Sequence, residues 1–494
     1  MQLNNVKPLR WAEFVSSVYG SRYYPPLDGS FRTPKYFHRL DFKDVADNWN
    51  KSFFMMKDGG IPSEIGMYVH WPFCPSQCTF CRCNMTVPKN NQSMQLALDA
   101  LKNEMNMLRE LFKDTVFSSF YMGGGTPTFM TNEMLDDFFS HLYRCFRFAK
   151  GAQIYMESSP ATLTESKVRL LLKHGLNRIT LGVQTFNNQL LSNLERTGQT
   201  RSSVIEVFNL LSQFSNLVLD IDLMVGLEDQ TPAIFFRDLM QVLKLRPKCF
   251  HLYPFDDAFP TIFRQTGKKI DLKQRRVIDC VTQVADRLLY KSGYVRWSDG
   301  WEDVNLYPWE TRQETALRRF RVSMLGIGYG ALSHSFGSSW YCHPGIPSGG
   351  VMSADVPDFL SITSSIEEEM RGYLIESLAR SKKSSRIVFK KIFGRDIMDM
   401  DFLVRPVLRL VDEGLLAVDS EFITWLGADV VELVVQLKSF YSPKIVKSIL
   451  QSHVNEFGRF LRQIVGKNDL RETVMMEQEG RRVLAYYDSR VWKN

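Results

Sequence analysis

The chain has 494 residues, enough for one large domain with one or two smaller ones, and its apolar fraction of 44% and charged fraction of 23% are those of an ordinary globular protein. A net charge of +7 without any long Lys/Arg run speaks against a nucleic-acid-binding tail. No uninterrupted run of about 18 apolar residues suggests a spanning helix, Met1 to Lys7 lack a signal peptide's apolar stretch, and the eight cysteines do not form a disulfide framework in a chain of this length. The expected location is the cytoplasm.

In chain order, residues 1–65 carry aromatics and prolines without a clear period, among them Tyr23-Tyr24-Pro25-Pro26 and Phe53-Phe54-Met55-Met56. They read as an N-terminal arm, either packed over a larger body or a partly ordered leader. Over residues 66–292 a short apolar strand followed by an amphipathic helix recurs six times, which predicts a parallel sheet with helical crossovers. The strands fall at Met67–His70, Val116–Met122, Ile154–Glu157, Ile179–Gly182, Leu217–Met224 and Cys249–Tyr253. The fold class is therefore α/β, an open, partial (β/α)6 barrel whose chemistry lies at the C-terminal ends of its strands.

Residues 293–355 differ. Trp297, Trp301, Trp309 and Trp340 lie there among glycines and charges, and Gly326-Ile-Gly-Tyr-Gly-Ala-Leu-Ser-His334 reads as a tight glycine loop that approaches a ligand or another strand. This segment either closes the open side of the barrel or faces the substrate. Residues 356–434 form a mostly helical C-terminal domain, with helices near Ile366–Ala379, Ser385–Phe393 and Phe402–Glu413 and then two short strands in a winged-helix pattern. Lys382, Lys383, Arg386, Lys390 and Lys391 read as a solvated face rather than a DNA-binding one, so no nucleic-acid partner is expected. Residues 435–494 form a further helical extension.

The chemistry concentrates at Tyr68-Val-His-Trp-Pro-Phe-Cys-Pro-Ser-Gln-Cys-Thr-Phe-Cys-Arg-Cys83. Cys74, Cys78 and Cys81 stand in a C-x-x-x-C-x-x-C spacing that lets one loop place three thiolates on an iron-sulfur cube and leave one iron open; structural zinc sites take four closed ligands. An open iron can bind a small molecule, and radical chemistry of S-adenosylmethionine is one use of such a site. The alternative is a group of apolar thiols without metal. His70 and Cys83 flank the ligands, and Cys83 is not assigned to the cluster.

One strand-helix unit later, Gly123-Gly-Gly-Thr-Pro127 predicts uncovered backbone amides beside that iron, where an amino group and carboxylate could be held. Glu157, Gln184 and Asp222 recur at or near strand ends and face one rim, and Arg196 can pair a carboxylate in a forked geometry. No residue is assigned a catalytic role of its own.

Together these residues resemble the radical S-adenosylmethionine superfamily and, within it, the oxygen-independent coproporphyrinogen III oxidase-like family, which includes related radical methyltransferases and cyclopropanases. The likeness runs from about Gly66 to His334 and more weakly to about residue 430. It rests on Tyr68 to Cys74, Cys83, Gly123 to Pro127, Glu157 with Pro160, Gly182-Val-Gln-Thr-Phe186, Arg196, Asp222-Leu-Met-Val-Gly226 and Pro260-Thr-Ile-Phe263. The resemblance implies one 4Fe-4S cluster on Cys74, Cys78 and Cys81 and two S-adenosylmethionine molecules. Tyr68, Gly124 and Glu157 would contact the first; Phe80, Gly125, Thr126, Gln184, Arg196 and Asp222 the second, with Leu332 a further contact. It also implies a small-molecule substrate and a one-electron donor such as flavodoxin or ferredoxin.

Three departures stand on the substrate side. Gly226-Leu-Glu228 replaces the family's Gly-Leu-Pro, Asp256-Asp257 precedes Pro260, and Trp297-Ser-Asp-Gly-Trp301 is unlike the porphyrinogen enzyme's stretch. The leading expectation is accordingly transfer of a methyl or methylene carbon from the second S-adenosylmethionine to an unsaturated or aromatic substrate carbon. The alternatives are oxidative decarboxylation of coproporphyrinogen III, favoured by Cys83 and Pro260 to Phe263, and a haem-binding carrier without radical turnover.

Overall fold

The computed structural model describes residues 38–58, 63–81, 83–196, 198–255, 272–297, 300–303, 323–343, 359–427 and 436–443, with 266, 270 and 433. Expectations for residues 1–37, for Asp256-Asp257 and Pro260 to Phe263, for Trp309, for 344–358 and for 444–494 lie outside the described residues.

Strand β1 (His38–Leu40) and helix α1 (Phe42–Lys57) precede the strand-helix repeat. The repeat comprises β2 (Ile65–Trp71), α2 (Asn91–Arg109), β3 (Val116–Gly124), α3 (Asn132–Cys145), β4 (Arg147–Ser158), α4 (Glu165–Lys173) and β5 (Arg178–Gln184). It continues with α5 (Asn188–Asn193), α6 (Arg201–Leu211), β6 (Val218–Val225), α7 (Pro232–Leu245), β7 (Cys249–Pro254) and α8 (Leu272–Lys291). β2 to β7 pair in parallel and in sequence order. Such strands are covered on both faces, which is why β5 is buried along nearly its whole length, Arg178 and Thr180 included. Asn90, Thr131, Thr164, Asn187, Thr200 and Thr231 cap the helices from α2 to α7, each side chain accepting from a first-turn amide. These caps end each loop leaving the barrel mouth at a fixed residue.

The sheet continues beyond the six units in a way the apolar periodicity did not show. At one end the hairpin β8 (Tyr294–Trp297) and β9 (Gly300–Asp303) adds antiparallel to β7. At the other, β10 (Ser323–Ile327) lies parallel to β2, followed outward by the antiparallel β11 (Leu332–Ser335), β12 (Ser339–Cys342), β13 (Phe359–Thr363) and finally β1. Trp297, Trp301 and Trp340 are thus strand residues, and the glycine-rich stretch forms the turn from β10 to β11. Helix α1 packs on this extension: Trp49 Nε1 donates to the Tyr341 hydroxyl at 2.7 Å and Ser52 Oγ lies 2.7 Å from Ser335 Oγ.

The C-terminal region has its own apolar core, built around Tyr373, Leu374, Phe389, Leu403, Val407 and Ile423. It contains α9 (Ile366–Ser381), β14 (Lys383–Ser385), α10 (Arg386–Phe393), α11 (Asp401–Asp412), β15 (Leu416–Val418) and β16 (Phe422–Trp425). β15 and β16 pair antiparallel as the wing pattern predicts, and β14 adds on the far edge of β16. Among the described residues no helix is long and apolar enough to cross a membrane.

Candidate radical SAM site

The cysteine loop leaves the C-terminal end of β2 and is tied down at both ends. Cys74 N donates to Thr86 O at 3.1 Å and Thr86 N to Pro72 O at 2.8 Å, closing the base of the loop. Its far side rests on the segment after α5, with Thr79 N donating to Leu194 O and Ser76 Oγ to Glu195 O. Phe80 is partly buried in a small apolar group with Leu194, Met224, Leu227 and Phe255.

The glycine run differs from its expected role. Its amides are not left open: Gly124 N donates to Glu157 Oε2 at 3.2 Å, Gly125 N to Trp71 O at 2.6 Å and Thr126 N to Phe73 O at 2.8 Å. The run is a dock for the cysteine loop. At Gly125 a Cβ would fall 2.5 Å from the Phe73 carbonyl oxygen, and at Gly124, where φ is +106°, it would strike the His70 ring. Thr126 Oγ1 lies 3.2 Å from Cys74 Sγ, so this turn also touches a candidate ligand.

None of the eight cysteines is in a disulfide, and Cys74, Cys78 and Cys81 are half-buried on one loop. Burial pushes the Cys74 thiol up to about 12, and its neighbours Cys81 and Cys78 push the same way against Thr126 and Arg196. Burial also raises Cys78, opposed by Arg196, whose Nη1 lies 3.5 Å from Cys78 Sγ. Cys83 is raised well above the usual thiol range, first by its hydrogen bond with Cys81. Among the described residues no three His, Cys, Asp or Glu side chains converge on a point for a single metal ion.

Inside the barrel, polar side chains alternate with apolar ones along the strands. Tyr68, Tyr121 and Tyr155 lie side by side on β2, β3 and β4, their ring centroids 5.2 and 4.7 Å apart. Towards the mouth, His70 is fixed by the Tyr68 hydroxyl at 2.8 Å and Asn84 O at 2.7 Å, and burial lowers it to about 4, so it is neutral. Glu157 receives the Tyr121 hydroxyl as well as Gly124 N. Burial nonetheless raises its carboxyl to about 7, with the charge of Asp222 adding to the rise.

Gln184 ends β5 in the left-handed region, φ +68°, after a register shift that follows Gly182. A Cβ on Gly182 would meet both Arg196 Nη2 and Gln184 Nε2, so these two side chains converge over it. Arg196 also donates to Gly182 O and, at 2.9 Å, to Gln199 Oε1. Asp222 stands in register with Gly182 and His251. Leu332 is two strands removed from Tyr68: it begins β11, its carbonyl crowds Gly326, and Gly326 is the β10 partner of Tyr68. The expected residues other than Leu332 therefore gather at the C-terminal ends of β2 to β6.

Residues 68–239, which include the three-cysteine loop and strands β3 to β6, match the model of the Radical SAM superfamily. The chain carries a radical SAM domain, and the superfamily implies a 4Fe-4S cluster and S-adenosylmethionine. More narrowly, it is similar to the oxygen-independent coproporphyrinogen III oxidase of Salmonella typhimurium strain LT2, 26% identical over 61% of this chain and 70% of that protein. It is also similar to the heme chaperone HemW of Buchnera aphidicola subsp. Schizaphis graminum, 28% identical over 47% of this chain and 61% of that one. The solved coproporphyrinogen III oxidase (HemN) of Escherichia coli superposes with a TM-score of 0.68 at 22% identity, covering 84% of this chain and 96% of that chain, and supports the fold.

These relatives overturn the leading expectation. Methyl or methylene transfer, and with it a methyltransferase or cyclopropanase type, gives way to the porphyrinogen alternative. The expectation had rested on the departures at Gly226-Leu-Glu228, Asp256-Asp257 and Trp297-Ser-Asp-Gly-Trp301, in a segment rich in tryptophan. Trp301 and Trp340 are instead buried strand residues that extend the sheet.

Proposed function

We propose that the protein oxidatively decarboxylates coproporphyrinogen III, or a closely related porphyrinogen, without oxygen. The observation that carries this reading is the cysteine loop docked by Gly124 to Thr126 against Glu157, in a chain whose curated relatives include coproporphyrinogen III oxidases. Cys74, Cys78 and Cys81 would hold the cluster and leave its fourth iron for S-adenosylmethionine. When bound, the cluster and S-adenosylmethionine would supply the chemistry for removing a hydrogen atom from the substrate propionate, with the carboxylate leaving as carbon dioxide and the remaining electron passing to a one-electron acceptor.

The remaining work falls to the chain's own residues. Tyr68, Gly124 and Glu157 line the side of the mouth nearest the cysteine loop and would seat the first S-adenosylmethionine, with the Tyr121 hydroxyl fixing the Glu157 carboxylate. Phe80, Gly125, Thr126, Gln184, Arg196 and Asp222 would seat the second, with Leu332 at the β11 edge. Arg196 can turn its fork towards a carboxylate while Gln199 holds its Nε. The Tyr68–Tyr121–Tyr155 layer below packs the barrel against water, which a reactive radical requires. A small soluble electron carrier such as flavodoxin or ferredoxin would reduce the cluster, and the cytoplasm would provide both.

The test is anaerobic reconstitution with iron and sulfide, followed by turnover of coproporphyrinogen III with S-adenosylmethionine and a one-electron reductant. Release of carbon dioxide with 5'-deoxyadenosine is the expected result. Stoichiometric haem uptake with no 5'-deoxyadenosine would establish the second reading, a haem carrier, which the similarity to heme chaperones favours.

A further inference from the structure

Two histidines reach the barrel mouth and are held differently. His251 on β7 lies beside Asp222, with Nδ1 3.2 Å from Oδ1, and both side chains keep about one-fifth of their surface exposed. His70 on β2 is buried, and its two ring nitrogens meet two different elements. Nδ1 lies 2.8 Å from the Tyr68 hydroxyl, and Nε2 lies 2.7 Å from Asn84 O on the return limb of the cysteine loop. The ring also packs against the glycine run, since a Cβ on Gly124 would fall 2.6 Å from its Cε1.

These contacts decide where the protons sit. A backbone carbonyl only accepts, so Nε2 carries a hydrogen and donates it to Asn84 O. The buried ring is neutral, which leaves Nδ1 as an acceptor. The Tyr68 hydroxyl therefore donates its one proton to Nδ1, and to any further group it offers lone pairs alone. The neighbouring Tyr121 hydroxyl is committed in the same way, to Glu157. Tyr68 is also the one residue of β2 that keeps exposed surface, the others being buried, so it is where a ligand would meet this strand.

We propose that His70 is a positioning residue: by taking the hydroxyl proton of Tyr68 it turns Tyr68 into an acceptor that selects an N–H group of the ligand. Two candidate ligands carry such a group, S-adenosylmethionine in its amine and ammonium and a porphyrinogen in its pyrroles, and in naming them the inference rests on the function proposed above. A ligand carboxylate finds no donor in Tyr68 and is left to the fork of Arg196.

Calorimetry on the anaerobic, cluster-loaded protein tests it, with S-adenosylmethionine and coproporphyrinogen III titrated separately into the parent, His70→Leu, Tyr68→Phe and the double variant. His70→Leu frees the hydroxyl proton and Tyr68→Phe removes the hydroxyl. Each should weaken the ligand that supplies the N–H by about threefold to tenfold, the worth of one neutral hydrogen bond. In the double variant the second change should add nothing, because His70 acts through Tyr68. The ligand that weakens identifies the source of the N–H. His70→Gln, whose amide nitrogen can donate to Asn84 O while its oxygen accepts from Tyr68, should keep the parent's affinity, and it carries the test where His70→Leu does not take up iron. Losses from either His70 variant that persist in the Tyr68→Phe background, or unchanged affinity for both ligands in His70→Leu, overturn this inference and leave the proposed function standing. If the non-additive loss is seen but coproporphyrinogen III is not converted, the proposed function falls and this inference stands. Failure of the parent to bind either ligand overturns both.

Discussion

The barrel mouth and the antiparallel extension both bury histidine-carboxylate pairs, and the pairs differ in how completely they are satisfied. In the extension, Glu369 accepts from His334 Nε2 at 2.8 Å, Ser364 Oγ at 2.8 Å and Gly337 N at 3.2 Å, and the His334 ring stacks on Trp340 at 3.7 Å. Glu104 on α2 likewise accepts from His343 Nε2 at 2.6 Å and Gly328 N at 3.0 Å. At the mouth, Asp222 Oδ1 lacks a hydrogen bond and Glu157 is held partly protonated by its surroundings. The Glu369 and Glu104 carboxylates are thus satisfied by the fold itself, whereas Asp222 keeps an oxygen that a ligand can complete.

The harshest way to break this contrast is to remove the thiols. Replacing Cys74, Cys78 and Cys81 together by alanine is expected to reduce iron uptake to background and abolish 5'-deoxyadenosine formation, measured by iron assay and chromatography. The fold should survive, since the loop remains anchored through backbone contacts of Cys74 and Thr86. Next in size is the extension. Glu369→Ala strands His334, Ser364 and the Gly337 amide, and should cost about 3–5 kcal/mol in urea unfolding, the usual effect of breaking a buried pair. Glu157→Gln should do the reverse, with little loss of stability but loss of S-adenosylmethionine binding. Equal stability losses in the two variants would erase the distinction between the regions.

The contrast also shows what was legible in the sequence. The six parallel strands could be read because each carries short apolar stretches followed by an amphipathic helix, and the Asn and Thr caps mark where each helix starts. The cysteine loop could be read from its spacing alone. β10 to β12 could not, because Ser323, Ser333, His334, Ser335 and Ser339 interrupt any apolar pattern and are buried all the same. Partners remote in sequence make that possible, as when Ser335 Oγ donates to Asn48 O and His334 meets Glu369. His251 belongs to no motif of the sequence. Its signal was a period of two, polar or aromatic residues at Tyr68/His70, Tyr155/Glu157, Asp220/Asp222 and His251/Tyr253 inside otherwise apolar strands. The glycine run misled because flexible backbone suggests open amides, whereas here the missing side chains let the neighbouring loop come close.

The Glu157 carboxyl gives a pH test of the same contrast. Its pKa is raised from the ordinary carboxyl value to about 7, so between these limits the folded chain binds more protons than the unfolded one. This contribution is fully present at acid pH and is lost as the pH rises through about 7. The shift is worth roughly 3 kcal/mol at most, and it should appear in urea unfolding as a loss of stability from about pH 5 to about pH 8. In Glu157→Gln that part of the slope disappears. If the slope is unchanged, the group carrying it lies elsewhere.

The smallest effect comes from the outside of the barrel, where charge pairs owe little to the fold. Arg169 reaches Glu165 at 2.7 Å on α4, but both side chains are more than half exposed. Water already solvates each ion, and two long side chains must be ordered to meet, so the pair contributes only about 0.3–0.5 kcal/mol. Glu165 also stands in the first turn of α4, where a carboxylate gains a few tenths of a kcal/mol from the helix amides. Glu165→Gln is therefore expected to lower stability by less than about 1 kcal/mol, and the difference should vanish in about 1 M salt, where screening acts within about 3 Å. Glu369→Ala, at a carboxyl buried from solvent, should keep its full penalty at the same ionic strength. A salt dependence alike in both variants would mean that water reaches the His334 pair.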